Sequence, residues 1–192
     1  MQSQEYRTAI HEAAHFVTLI MRGIGSTPHI ISIIQSEKIR GYVRDPALIR
    51  IKHCPEMFSA AHRMRWVAQY LAGHAAEQVL TGEVYDFWGH DIDEPHDFGI
   101  AWKIIESIAD GSVDGVFVGS ALEDAYQETI EFLKTPVVWQ AIELVANEVF
   151  KRKEITRDNG LFELAEKVFA LPVFADVQLI TPHLTIPARN PQ

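Results

Sequence analysis

The chain has 192 residues, 47% hydrophobic and 22% charged, which describes one ordinary globular domain with room for a sizeable core. A formal net charge of −9 argues against the clustered Lys and Arg that phosphate binding needs, so no nucleic acid partner is expected. The single cysteine, Cys54, excludes an internal disulfide and reads as a small buried hydrophobe. No apolar run approaches the ~18–20 residues of a membrane span, so the expectation is a cytoplasmic protein without a membrane anchor.

Residues 3–23 read as the first helix. Tyr6, Ile10, Ala13, Ala14, Val17, Ile20 and Met21 recur at three- and four-residue spacing, Ser3 is placed to cap the start, and Gly23 and Gly25 end it. Inside this helix lies His11-Glu12-Ala13-Ala14-His15. Positions i and i+4 share one helix face, so the two imidazoles can aim at one point with Glu12 beside them. That is the ligand-pair-plus-base arrangement of zinc peptidases; two solvated histidines are the bland alternative.

β-Branched residues make 29–35 a strand and 40–44 a second, with 49–51 as a third short piece. An exposed edge of such a sheet can take up an extended peptide as an added strand, and a plain covering sheet is the equal alternative. Residues 56–81 read as a long helix ended by Gly82. Its stretch Ala72-Gly73-His74-Ala75-Ala76-Glu77 places small side chains on the surface, where another helix can approach closely. Glu77, flanked by apolar residues, needs a partner if it points inward.

Residues 83–94 form an aromatic and acidic loop. Its run Asp91-Ile92-Asp93-Glu94 looks superficially like a calcium loop but lacks glycine at the sixth position and an acid at the twelfth. Pro95 opens the next helix, with Asp93 or Glu94 as its cap. Asp97 lies in the first turn, and Ala101, Ile104, Ile105 and Ile108 follow it by 4, 7, 8 and 11 residues. That phase puts Asp97 on the inward stripe, where an aspartate must be capped, paired or bound to metal. Helices at 116–133, 137–153 and 161–169 follow, with a turn at 157–160. The expected fold is mainly α (α+β): a helical domain over 1–170 with a small β-sheet after the first helix, then an extended tail over 171–192.

A catalytic zinc (Zn2+) takes three protein ligands and keeps one position open. His11 and His15 supply two. Asp97, Glu77, His74, His90 and His96 are candidates for the third; a histidine six residues after His15 is absent, since that position is Met21. Helical phase favours Asp97. Glu12, turned about 100° around the helix from His11, can accept a proton from a water activated by the metal and pass it to a leaving amine. Glu77 can orient a ligating imidazole by accepting its other N–H.

Thr8-Ala9-Ile10-His11-Glu12-Ala13-Ala14-His15 resembles the T-A-x-H-E-A-G-H of the peptidase domain of the membrane-bound AAA+ proteases, the FtsH family. Leu71-Ala72-Gly73-His74-Ala75-Ala76-Glu77-Gln78 through Gly82 is similar to that family's G-G-R-x-A-E-E-x-x-x-G. Pro95-His96-Asp97-Phe98 through Trp102 is similar to its S-N-D-x-x-x-A-T, whose aspartate is the third zinc ligand. The likeness spans roughly residues 5–155 and is strong only at these three motifs, which occur in the same order. It implies His11, His15 and Asp97 as zinc ligands, Glu12 as catalytic base, and a metalloendopeptidase acting on proteins or peptides. Ala14 stands where the family has glycine, and the 192 residues leave little room for an ATPase module. The expectation is therefore an ATP-independent peptidase of flexible segments or peptides, acting as a homo-oligomer or with a separate partner protein. The alternative is a catalytically inactive binding or regulatory module that keeps the fold.

Overall fold

Helix α1 (Gln4–Met21) is covered on nearly all sides: from Thr8 to Leu19 every residue except His11 is buried. A surface helix would bury one stripe. Here the apolar side (Ile10, Ala13, Ala14, Val17) and much of the polar side are both packed against neighbours. In the computed structural model the residues described are 3–21, 28–35, 41–44, 57–85, 96–109 and 115–171. Among them the protein is mainly α, with six α-helices and one small antiparallel sheet.

Helix α2 (Ala60–Thr81) starts later than hydrophobic periodicity indicates, because the Ser59 hydroxyl accepts the His62 N–H at 3.2 Å and caps it there. It ends at Gly82, whose φ of 74° is the left-handed conformation glycine adopts without penalty. Helix α2 packs on α1, with Gly73 against His11, and Ala72, Gly73, Ala75 and Ala76 are all buried. On its other sides it meets α3 (Asp97–Ile108) and α4 (Gly115–Leu133). The cap of α3 is His96, whose Nδ1 accepts the Gly99 N–H at 3.3 Å, in place of the expected Asp93 or Glu94. An imidazole nitrogen satisfies the same orphan donor that a carboxylate would.

Helix α5 (Pro136–Arg152) begins with proline at its first turn and covers the far side of α1. Lys153, at φ 68°, turns the chain out of α5, and its ammonium pairs with Glu5 at 2.7 Å. Strand β3 (Glu154–Thr156), a 3-10 turn (Arg157–Asn159) and helix α6 (Leu161–Phe169) follow.

Strands β1 (Ile30–Ser32) and β2 (Tyr42–Arg44) pair as the sequence predicts, but the third strand is β3, giving the order β2-β1-β3. Ile31 faces Val43 on one side and Ile155 on the other, all antiparallel. Three residues with one buried isoleucine carry too little period to be read as a strand, and only packing on β1 defines β3. The expected third piece at 49–51 lies outside the described residues, as do Cys54, His90 and the tail from 172. No helix among the described residues is long and apolar enough to cross a membrane.

Candidate metal centre

Two ladders of side chains meet where α1 crosses α2. On α1 the rungs are Arg7, His11 and His15; on α2 they are Gln69, Gly73 and Glu77, each set spaced by four and so on one face. The helices run antiparallel. Arg7 bonds Glu77 at 3.2 Å, His11 lies over Gly73, and His15 bonds the Gln69 carbonyl at 2.7 Å. Gly73 permits this close crossing, because a Cβ there would overlap the His11 ring.

The two imidazoles are oriented from behind. His11 Nδ1 lies 2.8 Å from Glu77 Oε1, and His15 Nδ1 lies 2.7 Å from the Gln69 carbonyl oxygen. Both partners are acceptors, so each Nδ1 carries the proton and each Nε2 of a neutral ring presents its lone pair. Those Nε2 atoms face each other at 3.1 Å, and Asp97 Oδ2 lies 3.5 Å from the first and 3.2 Å from the second. Three electron-pair donors so close repel one another unless a cation or proton sits among them. Donors bound at Zn–N and Zn–O lengths in a tetrahedral shell stand about 3.3 Å apart. The residues fit a divalent metal.

His74 adds a further donor: one ligand atom each from His11, His74 and Asp97 lie within 4.8 Å of one another, close enough to hold a metal ion. The His11/His15/Asp97 triangle is tighter and has its hydrogen-bonded support behind it. Of the other candidates from sequence, Glu77 stands behind His11, His96 serves as a helix cap, and His90 lies outside the described residues.

The cluster's electrostatics call for positive charge. Burial disfavours a charged His11, yet hydrogen bonds to Asp97 and Glu77, with the Glu12 and Asp97 charges, raise its pKa to about 10. Burial pushes Asp97 up, but His15 and His11 more than offset it and hold the carboxyl far below its usual range. Glu77 is likewise lowered, burial being outweighed by the His11 hydrogen bond and the charges around it. His74 is lowered to about 3 by burial and then by the neighbouring His11 charge. Glu12, 5% exposed, is raised mainly by burial, with His11 and His15 opposing.

Glu12 lies against Gly41, just before β2: a Cβ on Gly41 would stand 2.7 Å from Glu12 Oε1. The backbone leading into β2 thus lies against the carboxylate that the helix presents. Arg7, Gln69 and Gly41 are contributors that sequence reasoning missed. Arg7 had a signal, being four residues before His11 on the same face; a backbone carbonyl and a glycine at the entry to a distant strand had none. Glu83 extends the chain of ion pairs, 3.4 Å from Arg7. No protein-family model and no curated protein matches this chain.

Proposed function

We propose that this protein is a zinc-dependent metalloendopeptidase of the type found in the FtsH-family peptidase domain, hydrolysing peptide bonds in proteins or peptides. The observation that carries the reading is the convergence of His11 Nε2, His15 Nε2 and Asp97 Oδ2 within 3.5 Å of one another, beside a buried Glu12. The three segments that resemble the family's motifs, far apart in sequence, supply this one cluster. His11, His15 and Asp97 would hold the metal. Zinc would supply Lewis acidity toward a scissile carbonyl and lower the pKa of water toward ~7.

The chain's own residues perform the rest. Glu77 and the Gln69 carbonyl fix the tautomers, so both Nε2 lone pairs stay available. Arg7 holds Glu77 from the other side. Glu12 takes the proton of the attacking water and delivers it to the departing amine. Its upward-shifted pKa makes it a stronger base than a solvated glutamate once it is ionised. Burial keeps bulk water from competing for that proton.

The test is Glu12→Gln, which changes charge and basicity but little else. Zinc content of the purified variant should equal that of wild type, while cleavage of an unstructured protein such as casein should fall by ~100-fold or more. Full activity in the variant would remove Glu12 from the mechanism. A wild type that binds zinc and cleaves nothing would favour the binding-module alternative.

A further inference from the structure

His74 is an imidazole of the cluster to which the hydrolytic scheme assigns no work. It follows Gly73 directly, so it sits one helix step off the ladder that meets His11. Its ring stands edge-on to His11, centroids 4.8 Å apart, and packs against Tyr85 at 4.3 Å and Phe98 at 5.0 Å. Tyr85 and Phe98 in turn stack on each other at 4.7 Å. These aromatic contacts keep the ring beside the ligand cluster and leave its rotation about the side-chain bonds unopposed by hydrogen bonds. Among the described residues neither His74 nitrogen has a hydrogen-bond partner, whereas His11 and His15 are each anchored through Nδ1. With no hydrogen bond to hold it, the neutral His74 ring keeps its nitrogen lone pair free for an ion.

Three protein donors leave one place in a four-coordinate shell. A ligand atom of His74 already lies within 4.8 Å of ligand atoms of His11 and Asp97. Ligand atoms sharing a tetrahedral ion stand about 3.3 Å apart, so a movement of roughly 1.5 Å brings His74 into the shell. Rotation about χ1 and χ2 moves a histidine nitrogen that far without moving the helix. Position 74 is also where the resembling motif has arginine, a side chain that does not ligate zinc.

We infer that His74 is a fourth, exchangeable metal ligand that fills the position left open by His11, His15 and Asp97 until water and substrate take its place. The metal ligation requires only the cluster described above; its regulatory consequence rests on the hydrolase reading. With His74 bound, three imidazoles and one carboxylate would close all four positions of the shell. Hydrolysis would then require that His74 leave the shell to admit water and substrate, so the site would rest closed until substrate arrives.

The experiment is zinc X-ray absorption on the full-length zinc-loaded chain, wild type beside His74→Phe and His74→Gln. Phenylalanine keeps the packing on Tyr85 and Phe98, and glutamine guards against a failure of the first variant to fold. The expected result is three imidazoles per zinc in wild type and two in either variant, with zinc still at one per chain. Two imidazoles in all three proteins would overturn the inference while leaving the hydrolase reading standing. Three in wild type, without cleavage of casein by any of the proteins, would uphold the ligand and overturn the hydrolase. Absence of zinc from wild type would overturn both.

Discussion

Replacing Gly73 by alanine probes whether the α1–α2 spacing is what places His11. An ideal Cβ at position 73 would overlap Nε2 of His11 and stand 2.5 Å from its Cδ2 and Cε1. Ordinary carbon contacts lie at about 3.5–4.0 Å, so roughly 1 Å of relief is needed. The helices can part, at the ~1–3 kcal/mol typical of overpacking, or the imidazole can swing away from Glu77, giving up a hydrogen bond to a charged group worth ~1.5–3 kcal/mol. Alanine's better helix propensity returns ~1 kcal/mol. The metal-free variant should therefore lose about 0–2 kcal/mol, a fall in Tm of at most roughly 8 °C for a chain of this length. Metal affinity should suffer far more, because the overlapped atom is the donor itself. Loss of an outer partner costs about 10–100-fold, and displacing the ligand should exceed that range. Thermal melts by circular dichroism and zinc titration against a chromophoric chelator measure the two effects separately. Gly82→Ala is the control: at φ 74° with nothing within 4 Å, it should lower stability and leave zinc affinity unchanged. A Gly73→Ala protein that binds zinc as tightly as wild type would refute the argument from helix spacing.

Glu77→Gln should weaken zinc binding by ~10–100-fold, with Arg7→Met giving a smaller loss, since Arg7 acts only through Glu77; equal affinity in the Glu77 variant by the same titration would remove it from the support of His11. Gly41→Ala forces a Cβ to 2.7 Å from Glu12 Oε1 and 2.8 Å from its Cγ, so casein cleavage should drop while zinc content holds; unchanged cleavage would show that the β2 approach does not position Glu12. Stability of the metal-free protein should depend on pH on both sides. Protonated His11, raised from 6.5 to about 10, contributes fully below pH ~6.5 and fades as pH rises through about 10. Asp97, depressed below its ordinary 3.8, contributes above that pH and is lost as acid protonates it. The difference in Tm between wild type and His11→Gln in chelator should thus shrink from pH 6.5 to 10, and a constant difference would contradict the assignment.

Much of this molecule is local in origin and therefore legible in the chain. The helices at 4–21, 115–133, 136–152 and 161–169 follow hydrophobic period and breakers, each within a few residues of where the pattern puts it. His11 and His15 share a face because 3.6 residues make a turn, and Asp97 points inward because Ala101, Ile104, Ile105 and Ile108 do. The small-residue run around Gly73 announced a close helix approach for the same reason. What one-dimensional pattern does not contain is which surfaces meet. That β3 comes from 154–156, that the Gln69 carbonyl holds His15, and that Gly41 covers Glu12 are contacts between segments 29 to 126 residues apart, where sequence spacing carries no phase. The cap of α3 was decided likewise by which side chain reached the Gly99 N–H. The sequence by itself determined the helices and aimed each ligand along its own face. Tertiary packing decided that those faces converge on one point, and added a third imidazole there, because only packing sets the angle and distance at which one helix crosses another.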